Sequence, residues 1–418
     1  MQIETVNYQT TMSLRYIFTA LLSVTIPAQS VPGQQIQRLQ AVRDLKIGDE
    51  NDDNYVFESI SGAIVGDDGS ITILDARARK LRKFDANGKF VMSTGRAGNG
   101  PGEYQSIRAF GHLKDTVWIS DGTLNRVTLL SSTGRVEKTL TLMYDPRHRA
   151  LSPSAPSALM TDGMSLVFPD AIGEVAQQTA NLLRPLVRVN RKNEAVDTVT
   201  MLRFGTPYMF PSRGSVFAFQ PFNDGPIWKA QSDGSAVIIV DRTVAQRGVP
   251  TYSVRRVLAG GKVAFSRTYQ YSPQPITGAV LDSIIDAGSR ELSKPNPPTP
   301  SGTKMVRENL FVPSHWPPIL NVVAGRDGTT WMQVRRPTGN TNSWDVLDQR
   351  GERILSVDIP STARILQADR KFVWCAEFDS SDVPVVVRYR LAPPRDLSLI
   401  HISEPTRLRR ISYAVFCL

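Results

Sequence analysis

The sequence predicts an all-β chain folded as a six-bladed β-propeller of four-stranded blades. Two stretches, Ile71 to Val91 and Val117 to Glu137, align without a gap at a spacing of 46 residues, which places Gly88 opposite Gly134. Short strand-like runs that recur every 40 to 50 residues or so are typical of propeller blades. Asp-Gly and Asn-Gly dipeptides separate these runs, and such dipeptides suit the tight turns of β-hairpins.

Turn signals of this kind divide the chain into six predicted blades. The blades cover residues 56–95, 104–142, 155–202, 213–270, 318–359 and 362–391. Blade 6 contains three clear strands, whereas the strand-like segment Gln37 to Gly48 belongs to no blade. We therefore predict that this N-terminal segment supplies the fourth strand of blade 6 and closes the ring, because closure removes the free edges of an open array.

One segment interrupts the pattern between blades 4 and 5. Ile276 to Lys294 has apolar residues at helical spacing, among them Val280, Ile284 and Ala287, and a Pro-rich stretch follows. The whole insertion covers residues 276–317. We expect a structural cap on the edge of the ring, and the alternative is a lid over a ligand site.

The two ends of the chain differ from the propeller domain predicted for residues 31–396. Residues 1–30 read as a leader, with a signal peptide that begins at Met12 and predicts export to the periplasm or the medium. The apolar part of this signal is too short for a membrane span, and no later run is long enough. Residues 397–418 match the translation of a sequencing adapter, so we interpret them as an artefact without native structure.

Charge and cysteine content indicate which kinds of binding partner and which kind of fold stabilisation to expect. The net charge is +10 at pH 7. Residues 397–418 contribute +2 of this charge, because they contain three arginines and one acidic residue, Glu404. There is no Lys/Arg run and no basic helix interleaved with aromatic residues, so we expect no nucleic-acid partner. Within residues 31–396 Cys375 is the single cysteine, which excludes a disulfide framework. We expect a monomer that binds a small molecule, a carbohydrate or a protein at one face of the ring.

Two segments resemble a known repeat. GRAGNGPGEY (Gly95 to Tyr104) and SDGTLNRVTLL (Ser120 to Leu130) resemble the NHL-type repeat. The chain as a whole is similar to the bacterial exported six-bladed β-propeller proteins, also called NHL-like or TolB-like, from about Ile36 to Leu391. The resemblance implies the propeller fold; most members of that group have no assigned activity.

The Gly-rich segment between blades 1 and 2 is the first candidate site. Pro101 and Gly102 stand where a phosphate-binding loop needs Lys and Ser or Thr, so we do not expect such a loop. Its glycines are expected to allow a sharp turn, with Glu103 accepting hydrogen bonds from the loop backbone. The loop would still place Arg96, Glu103 and Arg108 at the rim of the channel, near a ligand.

The second candidate site is the Pro-flanked pair His315 and Trp316, which lies in a connection where an indole could line a binding rim. The other tryptophans of the domain fall on predicted strands and are expected to pack between blades. The ligand-binding residues predicted from sequence are Arg96, Glu103, Arg108, His315 and Trp316.

Metal-dependent catalysis is the alternative function. The resemblance includes propeller lactonases and lyases that hold Ca²⁺ or Zn²⁺ in the central channel. The histidines are few and unclustered, which disfavours zinc, whereas Asp75 and Asp121 could converge on Ca²⁺. Their sequence context also fits a turn at the end of a strand. No nucleophile motif is present. The sequence therefore favours a non-catalytic binding protein without cofactor over a metal-assisted hydrolase, lactonase or lyase.

Overall fold

The computed structural model describes residues 36–141, 156–167, 183–190, 194–203, 207–210, 214–217, 222, 224–246, 248–293, 297–310, 312–336 and 340–394. The predicted leader at residues 1–30 and the predicted artefact at residues 397–418 lie outside them. Neither helix in these ranges is long and apolar enough to cross a membrane.

Strands dominate these residues, and they form six four-stranded antiparallel blades. Strand β1, Gln37–Ile47, precedes the first blade. Blade 1 contains β2 Ile60–Val65, β3 Ile71–Asp75, β4 Lys80–Phe84 and β5 Phe90–Thr94. Blade 2 contains β8 Ile107–Leu113, β9 Thr116–Asp121, β10 Arg126–Leu130 and β11 Val136–Thr141. Blade 3 contains β12 Ala158–Leu159, β13 Ser165–Val167, β14 Leu183–Val189 and β15 Ala195–Arg203.

The second half of the ring repeats this arrangement. Blade 4 contains β18 Ile227–Ala230, β19 Ala236–Gln246, β20 Val249–Leu258 and β21 Val263–Gln270. Blade 5 contains β22 Ile319–Ala324, β23 Thr330–Val334, β24 Thr341–Leu347 and β25 Arg353–Pro360. Blade 6 contains β26 Arg364–Ala368, β27 Phe372–Phe378 and β28 Pro384–Ala392, with β1 as its fourth strand.

The N-terminal strand closes the ring, as the sequence predicts. Strand β1 pairs antiparallel with β28, and its first residues also pair in parallel with β25 of blade 5, for example Gln37 with Leu355. Strand β1 therefore joins blades 5 and 6 into one sheet. An ion pair of 2.6 Å between Arg43 and Glu377 supports this pairing.

Glycines at two hairpin turns confirm the alignment of blades 1 and 2. Gly88 and Gly134 have φ angles of 82° and 77°, a region that favours glycine because it has no Cβ atom. Each donates its backbone N–H to the carbonyl three residues earlier, at 3.0 Å to Asp85 and 2.9 Å to Ser131. The two turns therefore occupy the same position in successive blades.

Apolar side chains from neighbouring blades form the core. Leu74 and Leu81 of blade 1, for example, pack with Tyr104, Ile119 and Leu130 around blade 2. The predicted role of the strand tryptophans is confirmed for four of them, which are buried in these clusters: Trp118, Trp331, Trp344 and Trp374.

Four smaller strands lie between the blades. Strands β6 Arg96–Ala97 and β7 Glu103–Tyr104 pair in parallel within the Gly-rich loop. Strands β16 Pro207–Phe210 and β17 Gly214–Phe217 form a hairpin before blade 4. The predicted start of blade 4 at residue 213 is therefore wrong, because β17 pairs locally with β16 and blade 4 obtains its four strands from Ile227 onward.

The insertion between blades 4 and 5 contains two helices, α1 Gly278–Ser293 and α2 Pro300–Asn309. Helix α1 confirms the predicted helix, whereas α2 occupies a segment expected only to be Pro-rich. Thr299 caps α2 by accepting the N–H of Gly302 at 3.1 Å, and proline suits the first turn because its missing N–H has no partner there. The choice between a cap and a lid stays a prediction.

Candidate functional site: the central channel

The first strands of the six blades surround a cavity of about 670 Å³ at the centre of the ring. These strands are β2, β8, β12, β18, β22 and β26, and every one of them contributes side chains to the wall. The volume falls within the usual range for small-molecule sites, on the order of 300 to 1,000 Å³. The channel is therefore large enough to hold a ligand.

Cations and uncharged polar groups alternate around this wall. Blades 2, 4 and 6 supply Arg108, Lys229 and Arg364, respectively. Blades 1 and 5 supply Ser61 and Asn321, and Ser157 precedes the first strand of blade 3. Three positive charges therefore reach the channel from every second blade, with hydrogen-bonding groups between them.

Local backbone geometry places two of these cations. Arg108 stands at a β-bulge in β8, between Ile107 and Ala109, and a bulge re-aims the side chain of the extra residue. Arg364 is the first residue of β26, and its guanidinium donates a hydrogen bond to the backbone carbonyl of Ile60 in blade 1. Arg364 thus links the last blade to the first at the channel wall.

The electrostatic environment of the channel is unfavourable for its own cations. Lys229 faces the open channel, yet the surrounding protein walls lower the pKa of its ammonium group by desolvation, and the charge of Arg364 lowers this pKa further. Desolvation likewise lowers the pKa of Arg364. The wall residues within the described ranges include no carboxylate. The described wall is therefore positively charged, and its potential would attract an anion.

The Gly-rich loop is held together by two of the predicted residues. Glu103 accepts hydrogen bonds at 2.8 Å from both Arg96 Nε and the backbone N–H of Gly100, which confirms its predicted role in the loop. The backbone hydrogen bond, followed by the contact with Arg96, lowers the pKa of Glu103. Arg126 of blade 2 donates to the carbonyls of Asn99, Gly100 and Glu103. Arg96 and Glu103 therefore mainly stabilise the loop.

Asp75 and Asp121 are buried at the ends of equivalent strands in blades 1 and 2. Asp75 forms a buried ion pair with Arg82 at 3.2 Å. The remaining partners of both carboxylates are backbone N–H groups: Asp75 accepts from Glu58, Ser59 and Ala78, and Asp121 accepts from Gln105, Ser106, Thr123 and Leu124. This pattern is that of a turn at the end of a strand, and neither residue lines the channel.

His315 and Trp316 lie away from the channel wall. Trp316 lines a separate cleft between blades 4 and 5, and His315 Nδ1 lies 2.8 Å from Ser314 Oγ. The guanidinium carbon of Arg335 lies 3.7 Å from the centroid of the Trp316 ring, and the Phe222 ring packs against it at 4.7 Å. Both neighbours pack against the indole, which stays partly exposed, so a role for Trp316 in binding stays a prediction.

The five ligand-binding residues predicted from sequence therefore do not form one site. Arg108 lines the channel, and Arg96 and Glu103 hold a loop together. Trp316 lines the cleft, whereas His315 contacts Ser314 in the connection before it. Lys229 and Arg364 are not among the residues predicted from the sequence. The available signal was their position on the first strand of a predicted blade, in WKAQSDG and ARILQAD, because first strands line the channel of a propeller.

A family model agrees with the fold. The DUF5128 family model, described as a 6-bladed beta-propeller, matches residues 50–125. No curated protein is significantly similar in sequence to this chain. A member of the duf4221 family from Bacteroides vulgatus is 11% identical with a TM-score of 0.48, over 86% of this chain and 100% of its own.

Two further solved structures are similar at the same low identity. A Bacteroides fragilis protein for which export has been suggested is 12% identical with a TM-score of 0.46, over 87% of this chain and 97% of its own. A catalytically inactive virginiamycin B lyase from Staphylococcus aureus, solved with quinupristin, is 12% identical with a TM-score of 0.37. The match covers 85% of this chain and 99% of the lyase chain. The sheet arrangement and the family model define the chain as a six-bladed β-propeller.

Proposed function

We propose that this chain is a non-catalytic binding protein that holds a multivalent organic anion in the channel. The observation that carries the proposal is the convergence of Arg108, Lys229 and Arg364 from alternate blades on one cavity without a carboxylate among its described wall residues. Three cations at roughly threefold spacing suit a tricarboxylate or a similar oxyanion, because each can form a charge-assisted hydrogen bond.

The metal-dependent alternative requires a different set of side chains. Ca²⁺ takes six to eight oxygen ligands, usually with several carboxylates among them. Among the described residues no group of three or more His, Cys, Asp or Glu side chains is placed to hold a metal. The channel wall has three cations, which would repel Ca²⁺ or Zn²⁺. The described donor set therefore does not fit a divalent metal, and we derive no metal-dependent step.

Calorimetric titration with citrate tests the channel proposal. Citrate should bind in the presence of a chelator, more tightly than the dicarboxylate glutarate, and the affinity should fall as salt is added. Lys229→Gln should weaken citrate binding about tenfold or more, because it removes one charge-assisted hydrogen bond worth roughly 1.5 to 3 kcal/mol. The control Lys138→Gln removes a lysine from the exposed outer strand β11 and should leave the affinity unchanged.

Two outcomes would contradict the channel proposal. The first is the absence of binding of both citrate and pyrophosphate to the folded protein at millimolar concentration. The second is equal affinity in Lys229→Gln and Lys138→Gln. Turnover of a lactone or ester that depends on added Ca²⁺ or Zn²⁺ would favour the catalytic alternative.

We also propose that the protein is an exported, NHL-like propeller of the periplasm or the medium. The support is the signal-peptide pattern from Met12 and the repeat motifs of the first two blades. Expression of the full chain in a bacterium should yield a mature protein that begins near Val31. Mass spectrometry of the extracytoplasmic fraction measures this start, and an uncleaved cytoplasmic chain would refute the export.

A further inference from the structure

A second cationic site lies in the cleft between blades 4 and 5. This site, the Arg335 cleft, has a volume of about 320 Å³. Its walls include Tyr252, Tyr271, Trp316, Arg335, Arg336 and Arg353. The side chains come from both blades and from the connection that carries Trp316, so the cleft forms only when the two blades pack together.

Asp345 is the one carboxylate among the described residues that line the Arg335 cleft. Asp345 is buried and lines the same cleft; Arg336 donates to its two oxygens at 2.8 and 2.9 Å, and Arg353 lies 3.3 Å from it. One carboxylate is thus shared by two guanidinium groups. Asp224, a further nearby carboxylate, is attracted to Arg242, which is not part of the cleft wall.

Arg335 is the cleft arginine for which the described residues show no carboxylate partner. Its guanidinium lies over the Trp316 ring, and within the part of the chain that the structure describes its buried Nε has no hydrogen-bond acceptor. Desolvation lowers the pKa of Arg335, in keeping with a charge that is removed from water without compensation. A desolvated guanidinium without a counter-charge costs free energy, which an anionic ligand in the cleft would offset.

We propose that the Arg335 cleft binds a small carboxylate attached to a flat ring. Arg335 would hold the carboxylate, because the planar guanidinium matches carboxylate geometry. Tyr252, Tyr271 and Pro317 supply an apolar wall for the ring, and the volume lies at the small end of the range for ligand sites. This inference is independent of the channel proposal, since the two cavities share none of the residues named here.

Fluorine NMR with 4-fluorobenzoate as the probe tests this inference. The folded protein should broaden the probe signal, and neutral 4-fluorobenzamide should show no such effect. Arg335→Gln should weaken binding about tenfold or more, whereas Arg335→Lys should retain part of it. The matched control Arg307→Gln changes an exposed arginine of α2 that pairs with Asp282, and it should bind the probe like the parent protein.

The outcomes separate the cleft from the channel. Lys229→Gln should leave fluorobenzoate binding unchanged, while Arg335→Gln should leave citrate binding unchanged. Failure of the folded parent protein to bind fluorobenzoate at ten millimolar or so would overturn the inference. Equal binding of the carboxylate and the amide would overturn it as well, and this comparison needs no variant and thus does not depend on how the substitutions affect folding.

Discussion

Truncation of Ile47 to alanine should measure how much the closing strand contributes to stability. Ile47 is only 1% exposed and packs in the cluster that joins β1 to blade 1, with Phe84, Trp374 and Val386. It also lies beside the turn of blade 1, where a Cβ atom on Gly88 would approach Ile47 to 3.2 Å. Loss of its side chain would leave a cavity at the seam where the two ends of the ring meet.

The expected loss in the free energy of unfolding is about 3 kcal/mol, within the range of 2 to 5 kcal/mol for truncation of a buried isoleucine. For a domain of this size the entropy of unfolding is roughly 0.75 kcal/mol per kelvin, so the melting temperature should fall by about 4 °C. Chemical denaturation followed by tryptophan fluorescence gives the first value, and calorimetry gives the second.

Val42→Ala is the matched control, because Val42 lies on the same strand but is 39% exposed. Its cost should stay near or below roughly 0.5 kcal/mol, as for surface substitutions in general. Closure by β1 would be refuted if Ile47→Ala and Val42→Ala unfolded alike. A larger loss in Ile47→Ala, together with faster aggregation, would show that β1 protects the edge of β28.

Two further predictions concern charged groups. Asp75→Ala should cost about 3 to 5 kcal/mol in a denaturation experiment, because Arg82 stays buried without its carboxylate, and citrate binding should persist in the folded fraction. Citrate affinity should fall as the pH rises through the lowered pKa of Lys229, below the usual 10.5, and Lys229→Arg should remove this loss. In this window the unfolded chain binds more protons than the folded chain, so the stability of the ligand-free protein should rise with pH. Unchanged affinity across that window would contradict the assignment of Lys229.

The fold could be predicted in most of its detail because its signals are local. Glycines such as Gly88 and Gly134 mark the hairpin turns in the sequence. Five of the six blades start within four residues of their predicted positions. The predicted start of blade 4 was wrong because the short strand Gly214–Phe217 has the sequence pattern of a blade strand. In the structure this strand pairs with the preceding strand Pro207–Phe210 in a local hairpin. Helix α2 was missed because prolines suggested an irregular segment, although Thr299 and Pro300 together are a helix-start signal.

The site was harder to predict because it is made by closure of the ring. Lys229 and Arg364 are 135 positions apart, and each is a single charge on a short strand, a pattern that usually marks a solvent-exposed face. Only the blade order brings them to one channel. The Gly-rich motif GRAGNGPGE, a candidate site in the sequence, mainly stabilises its own loop. Glu103 accepts a backbone hydrogen bond within it, and Arg126 of blade 2 donates to its carbonyls.

Carboxylates accompany buried arginines inside the blades but are absent from the described residues of the channel wall. Inside blade 1 the buried Arg82 has a carboxylate partner in Asp75, and in blade 3 Arg188 has Asp162 and Asp197. Such pairs offset the cost of burial. Lys229 and Arg364 lie close enough for the charge of Arg364 to lower the pKa of Lys229, and the described wall residues include no carboxylate. Their repulsion is a cost that the closed ring tolerates. An anion that removes this repulsion binds the folded state alone, so the melting temperature should rise with the logarithm of the anion concentration once that concentration exceeds the Kd.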